Sequence, residues 1–244
     1  MVIKAPTKIT TPLFRTELEY IHFEEVKSFG KTPEIEQDEA EIREKLKGSV
    51  VEVGRPEPYN LKEMYELQEI EPPAKMQMLF RKYDFWLIET PFSFMHSRNT
   101  HFEWARILAK MESLSEDIEK PIVHDVYPKN IYETKKEKHK VSIGLSLKFA
   151  EIIEPKVQFV DEIEFNRLEP VIEVAGIGTS ETIWAFSEGA LSSHRDVNTL
   201  YTIVKVPQGA KGINLKFFLY AKMHIRLGLK LVGKESQDSY KISF

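Results

Sequence analysis

Three histidines carry the best metal-binding chemistry of this chain, which has no cysteine. His96 and His101 flank Ser97-Arg98-Asn99, a polar stretch that predicts a hairpin turn and would let the two imidazoles face each other. His124 follows nearby in the sequence. Imidazole and carboxylate are the metal ligands that remain without thiolate, so these three residues would suit a metal-dependent hydrolase. None of the familiar ligand spacings is present, and hydrogen-bonded or surface histidines are the simpler interpretation.

A second candidate is the polar loop around His194 and Arg195. The run Ser192-Ser193-His194-Arg195-Asp196 contains a nucleophile, a base and an acid. Triad groups converge from separate segments, so neighbours in sequence rarely form one. Arg195 also suits an anionic ligand. We expect no catalytic residues and no cofactor, because no catalytic or nucleotide-binding motif stands out.

Charge is distributed unevenly along the 244 residues, whose formal net charge is −4. Residues 1–72 carry 10 Lys/Arg against 16 Asp/Glu, a net of −6, whereas residues 205–244 carry 8 against 2, a net of +6. Opposite charges let copies associate through an acidic N-terminal and a basic C-terminal surface, and such oligomers should shrink at high salt. The basic excess is too small and interrupted to indicate nucleic-acid binding. The acidic cluster near the first helix comprises Glu24, Glu25, Glu34, Glu36, Asp38, Glu39 and Glu41.

The clearest pattern is a long alternation of apolar and polar residues near the C-terminus. A period of two predicts a strand with one apolar face and one mostly basic face. The apolar positions are Ile213, Leu215, Phe217, Leu219, Ala221, Met223, Ile225, Leu227, Leu229 and Leu231. On the other face, basic residues alternate with aromatic ones, which predicts a ligand or partner surface unless the acidic N-terminal segment covers it. That surface comprises Lys216, Phe218, Tyr220, Lys222, His224 and Arg226.

Three structures compete for this segment, because 19 residues at about 3.4 Å each would span roughly 65 Å. It is one strand that bends near Gly228, two strands with a break near 221–224, or a membrane-inserting hairpin of a pore-forming protein. A hairpin needs a turn, and Ala221-Lys222-Met223-His224 has no Gly, Pro, Asn or Asp. We therefore predict a core strand that bends.

Shorter patterns complete the architecture. A helix is predicted over 39–47, and another begins after Asn60, whose side chain can cap it. Strands are predicted over 84–96 and 100–111, the latter with Phe102 and Trp104 on one face. Val141 to Phe149 gives the second-cleanest alternation, and 157–165 and 170–177 are further candidates.

Together these elements predict a mainly β fold, an antiparallel β-sandwich of about ten strands with a small helical N-terminal part. Residues 1–75 would form that helical or extended appendage and residues 76–244 the sandwich body. No apolar run approaches a spanning helix or a signal peptide, so we expect a soluble cytoplasmic protein.

The function predicted from the sequence is a non-catalytic binding or assembly protein that recognises a protein partner or itself as a homo-oligomer. A metal-dependent hydrolase with a histidine site and a β-hairpin pore-forming protein are the two alternatives.

Overall fold

The computed structural model describes residues 12–20, 35–98, 100–114, 119–129, 131–132, 170–193, 198–225, 228–235 and 239–244. These residues form two antiparallel sheets with few helices, which confirms the predicted mainly β sandwich. Strands from both sheets supply the side chains of one main core, so the sheets lie face to face.

The six-stranded sheet runs in the order β1 (Pro12–Glu17), β3 (Val50–Gly54), β5 (Tyr83–Met95), β11 (Asn198–Pro207) and β7 (Ile122–Tyr127), with β4 (Glu57–Asn60) also paired to β5. The eight-stranded sheet runs β2 (Glu19–Tyr20), β13 (Gly228–Glu235), β12 (Gly212–Ile225), β6 (His101–Ser113), β10 (Glu181–Ser187), β9 (Pro170–Ala175) and β8 (Ile131–Tyr132), with β14 (Tyr240–Ser243) also paired to β12. The described helices are α1 (Ile35–Leu46), α2 (Leu61–Leu67), α3 (Ala74–Leu79) and α4 (Glu188–Ser193). Residues 12–60 thus contribute strands to both sheets.

The main core lies between the two sheets, and β12 is its longest contributor. Every second residue of β12 is buried, from Ile213 at one end to Ile225 at the other. Side chains of alternate residues point to one face of a strand, and Leu200 and Val204 of β11 belong to the same buried cluster. The period of two in the sequence therefore reports a core-facing strand, as predicted.

The prediction of a single bending strand is wrong, because the chain reverses direction after Ile225. Ile225 pairs with Gly228, and the pairing continues to Phe218 opposite Glu235, so β12 and β13 form a hairpin joined by residues 226–227. The reversal also shifts the phase of the alternation. Val232 pairs with Ala221 and both are fully buried, so Val232, at an even-numbered position, faces the core. Leu229 and Leu231 pair with His224 and Lys222 instead.

A bulge in β6 changes the side of the sheet that Trp104 faces. Lys222 pairs with Trp104 and Met223 with Phe102, which leaves Glu103 as an extra residue. A bulge of one residue inverts the facing of the residues after it. Phe102 is buried in the core at 3% exposure, whereas Trp104 lies on the opposite, solvent-facing side with Lys222. The prediction that Phe102 and Trp104 share a face is therefore wrong.

A second, smaller core covers the outer face of the six-stranded sheet. Phe85, Leu87, Tyr201 and Ile203 point away from the main core and are buried under α2 and α3. The first of these helices begins as predicted, because the Asn60 side chain accepts hydrogen bonds from the backbone N–H groups of residues 62 and 63. The layer is amphipathic: Leu61, Met64, Tyr65 and Met76 are buried.

The Tyr65 hydroxyl gives a test of how this helical layer packs. Tyr65 is 1% exposed, and its hydroxyl has no hydrogen-bond partner among the described residues. Because an unsatisfied buried hydroxyl costs about 1–3 kcal/mol, we expect Tyr65→Phe to raise the free energy of unfolding by about 1 kcal/mol in urea titration. The matched control is Tyr59→Phe, which removes a hydroxyl that donates to Glu57 at 2.9 Å. That variant should gain nothing. A destabilised Tyr65→Phe would contradict the described packing.

His124 gives a pH-dependent test of the same layer. Its ring packs edge-on against Phe85, with ring centres 5.0 Å apart, and burial lowers its pKa while neighbouring Asp125 opposes the shift. A group whose pKa is lower in the folded state destabilises that state below its unfolded pKa of about 6.5. Stability should therefore fall as the pH drops from about 7 to 5, and His124→Gln should flatten this slope. His101→Gln, at an exposed position, should leave it in place, and an unchanged slope in His124→Gln would contradict the assignment.

Candidate interaction surface

The predicted basic residues of β12 lie on the solvent-facing side of the eight-stranded sheet, together with residues of β6 that the sequence did not reveal. The register places Phe218 opposite Leu108 and Tyr220 opposite Arg106. We call this surface the outer β6–β12 face. It consists of Trp104, Arg106, Leu108, Lys110, Lys216, Phe218, Tyr220 and Lys222.

Cations lie over aromatic rings on this face. The Arg106 guanidinium lies 4.9 Å from the centre of the Trp104 ring, and the Lys216 ammonium lies 5.5 Å from that of Phe218. Both distances lie within the range of cation–π attraction. Tyr220 is 38% exposed, which makes it one of the few large apolar residues exposed in the described structure. The face thus combines aromatic rings with cations that lie in cation–π contact with them.

Ion pairs border the aromatic centre. The Lys222 ammonium lies 3.2 Å from the carboxylate of Glu103, the bulged residue, and Lys110 lies 3.3 Å from Glu112. Arg106 has no acidic partner among the described salt bridges and is exposed. Arg106 therefore contributes an exposed positive charge to this face.

The acidic N-terminal segment does not supply the partner of Lys222. Of the predicted acidic cluster, only the side chain of Glu41 is described, and it is exposed on α1. That helix contributes Ile42 and Leu46 to the main core. Tyr220 remains exposed, so the described part of α1 leaves it uncovered. The sequence gives only a weak signal that β6 residues lie on this face, because their position depends on a bulge and on the pairing of β6 with β12.

The three histidines of the metal hypothesis have separate surroundings. His96 shares a hydrogen bond with the Ser97 carbonyl at 2.9 Å, and His124 packs on Phe85 beside the helical layer. His101 stacks on His224 instead, with ring centres 4.7 Å apart. The described residues contain no group of three or more metal-ligating side chains. The lone pairs of imidazole nitrogens lie in the plane of the ring. In two parallel stacked rings these planes lie side by side, so the lone pairs do not converge on one metal ion.

Three predicted surface residues lie outside the described residues, namely His194, Arg195 and Arg226. His194 and Arg195 follow α4 in the sequence, and Ala190 of that helix is buried in the main core.

A partly exposed polar cluster lies on the outer face of the six-stranded sheet, beside the helical layer. The Tyr59 hydroxyl donates to Glu57 at 2.9 Å and lies 3.4 Å from Glu89, which is 5% exposed. Burial and the adjacent carboxylates raise the pKa of Tyr59 above its ordinary range, so it remains a neutral donor. Tyr59 therefore serves as a hydrogen-bond donor to these carboxylates.

The helical layer carries a groove of about 490 Å³, which the sequence did not predict. Its lining combines apolar and aromatic side chains, among them Tyr65, Ile70 and Phe80, with charged residues of both signs. The charged residues are the acidic Glu66, Glu69 and Glu71 and the basic Lys62 and Arg81. We call it the α2–α3 groove. Two exposed apolar side chains lie on the same layer, Leu67 at 63% and Met78 at 70% exposure.

The backbone at the groove is held in an uncommon conformation. Glu69 has a φ of 54°, in the left-handed region that favours glycine. Its N–H donates to the Glu66 carbonyl, and the Ile70 N–H donates to that of Tyr65, which is the Schellman ending of a helix. Glu69 occupies a position where glycine is the usual residue. Its left-handed backbone conformation therefore costs free energy at this end of the groove.

Strands β8 and β9 flank residues 133–169 in the sequence and pair with each other in the structure. Ile131 pairs with Ile172 and Tyr132 with Pro170, so β8 and β9 are antiparallel neighbours. The predicted strands over 141–149 and 157–165 fall in that range and lie outside the described residues. Among the described helices, none has the length and hydrophobicity that a membrane crossing requires.

Comparison with known proteins gives distant structural likenesses alone. No protein-family model matches the chain, and no curated protein matches its sequence. Solved structures with a similar fold include a "Pore forming protein" (TM-score 0.35, 10% identity, covering 80% of this chain and 91% of that one). The Clostridium perfringens NetB toxin in its membrane-inserted form gives 0.34 and 8%, covering 80% and 88%. The Clostridium perfringens delta-toxin gives 0.37 and 11%, covering 80% and 88%. Likenesses at this level carry no conclusion about function.

Proposed function

We propose that this protein is a pore-forming protein that inserts a β-hairpin made from residues 133–169. The observation that carries the proposal is the pairing of β8 with β9, which places Tyr132 opposite Pro170 at a sheet edge. Two chain ends on adjacent antiparallel strands are what the base of a hairpin requires. The proposed hairpin therefore starts and ends at two neighbouring strands of one sheet.

The sequence of this segment suits a strand between lipid and water. From Val141 to Phe149 the odd positions are all apolar, and Ser142, Gly144, Ser146 and Lys148 lie between them. A membrane strand needs about 9–11 residues with apolar side chains toward lipid and polar or small ones toward the interior. Residues 157–165 supply a second stretch of that length, so both arms of a hairpin fit within 133–169.

Insertion of such a hairpin requires several copies of the chain. Unpaired backbone groups are too costly in the hydrocarbon layer, so the strands must close into a continuous ring. One hairpin supplies two strands, and the smallest membrane rings have about eight. At least about four chains must therefore associate. The predicted self-association thus becomes a requirement of the proposed function, whereas a binding role without membrane insertion would leave 133–169 unexplained.

Cysteine scanning tests where the chain enters the bilayer. The protein has no cysteine, so single cysteines at 141–149 can each carry an environment-sensitive fluorophore. On mixing with vesicles of phosphatidylcholine and phosphatidylglycerol, we expect blue-shifted emission at odd positions and little change at even ones. The matched control is a set of cysteines at the outer positions of β12, including 218 and 220, whose emission should not shift. A uniform response along 141–149, or a blue shift along β12, would sink the proposed hairpin.

Dye release tests the same hairpin through adjacent substitutions. Leu145→Arg places a charge on the lipid side, at a cost of about 2–4 kcal/mol per chain near the bilayer centre, and should abolish release from these vesicles. Ser146→Arg places the same charge on the water side and should preserve release while shifting ion selectivity toward anions. Circular dichroism of both variants checks that the sandwich stays folded. Equal release by the two variants would contradict the proposed orientation.

A further inference from the structure

A lysine and a histidine from different strands lie beside Phe85 on the outer face of the six-stranded sheet. Lys205 of β11 is the cross-strand neighbour of Phe85, and its ammonium lies 4.4 Å from the centre of the Tyr83 ring. The His124 ring of β7 packs against the ring of Phe85, with centres 5.0 Å apart. One aromatic residue therefore contacts or neighbours both basic side chains.

A bulge in β7 accompanies the position of His124. Ile203 of β11 pairs with Asp125 and Val204 pairs with Val123, which leaves His124 as an extra residue of the strand. Because β11 lies between β7 and β5 in the sheet, the imidazole reaches across β11 to contact a side chain of β5. Bulges re-aim side chains and are over-represented next to functional sites. The bulge thus marks this end of the sheet as a place to look for a ligand.

Positive charge dominates around His124. Burial lowers the pKa of His124 most; among its charged neighbours Asp125 raises that pKa, whereas Lys205, Lys75 and Lys129 lower it. Asp125 is 4% exposed and lies 2.7 Å from the Lys129 ammonium, so the acid already has a cationic partner. Lys75, exposed in the first turn of α3, and Lys205 have no acidic partner among the described ion pairs. Two ammonium groups therefore remain available to an anion.

We propose that Lys75, Lys205 and His124 form a binding site for a phosphate group, either free in solution or carried by a lipid headgroup. Lysine binds phosphate as a point charge, and hydrogen bonds between charged groups are about twice as strong as neutral ones. Two ammonium groups match a doubly charged phosphate better than a singly charged carboxylate. The partly buried imidazole can donate a further hydrogen bond, and a bound anion favours its charged form. This site is separate from the proposed hairpin and does not depend on it.

The histidine resonances in a proton NMR spectrum test the site with inorganic phosphate at constant ionic strength. The resonance of His124, assigned through His124→Gln, should move as phosphate is added, and the pKa of His124 should rise. The exposed His101 is the internal control and should not move. Lys205→Gln should weaken phosphate binding at least about tenfold, because a charged contact is lost. Lys205→Arg keeps the charge and should retain binding.

A matched variant and a second form of phosphate complete the experiment. Lys110→Gln removes a lysine of the eight-stranded sheet that pairs with Glu112, and it should bind phosphate like the parent. Sedimentation with phosphatidylcholine vesicles, with and without phosphatidic acid, measures binding to a lipid phosphate. Binding of inorganic phosphate that Lys205→Gln weakens supports the site with a soluble ligand. Binding of phosphatidic acid vesicles alone, weakened by the same substitution, supports the site with a lipid headgroup.

Three results would overturn the site. The first is an unmoved His124 resonance together with no additional binding to vesicles that contain phosphatidic acid. The second is an equal loss of binding in Lys205→Gln and Lys110→Gln, which would indicate diffuse attraction to surface charge. The third is unchanged binding by a Lys205→Gln variant whose far-ultraviolet circular dichroism equals that of the parent. None of these measurements uses dye release, so failure of the site and failure of the proposed pore are distinguishable.

Discussion

The antiparallel pairing of β6 with β12 is the constraint on which the rest of this structure depends. The two long strands occupy the middle of the eight-stranded sheet and pair from Ile213 opposite Ser113 to His224 opposite His101. Because side chains alternate between the faces of a strand, one register fixes two surfaces together. The inner side supplies Phe217 and Leu219 to the main core. The same register places Arg106 opposite Tyr220 on the outer side. A shift of the register would therefore change both surfaces together.

The same reasoning shows which parts of the fold the sequence could predict. A period of two identifies a half-buried strand from a few residues, so the buried face of β12 was predictable. The Asn60 cap was equally local, since it depends on a side chain two residues from the N–H group that it accepts. The β12–β13 reversal was not, because residues 226–227 carry no turn signal and the apolar rhythm continues through them. The reversal shifts the phase of the apolar alternation between β12 and β13. Only the pairing of Ile225 with Gly228 reveals the reversal.

Only the β12 half of the candidate surface was predictable from the sequence, for a similar reason. Its β12 residues follow from alternation, but its β6 residues depend on the extra residue at Glu103, which turns Trp104 to the outside. A bulge depends on partner strands far away in the sequence, here more than 100 residues. The groove between α2 and α3 depends on how two short helices pack on the outer side of β5, which no periodicity reports. The histidines illustrate the converse: residues near in sequence, such as His96 and His101, found different partners in space.

The packing of β12 explains why the proposed hairpin is not drawn from that strand. β12 buries seven apolar side chains in the main core, and at about 1.5–3 kcal/mol each their removal would cost on the order of 10–20 kcal/mol. That cost equals or exceeds the total stability of a typical domain, about 5–15 kcal/mol, so an inserting β12 would unfold the protein that carries it. The proposed hairpin uses residues 133–169 instead, which the paired strands β8 and β9 flank in the sequence. It therefore draws on a stretch with the same rhythm as β12 and leaves β12 in the core.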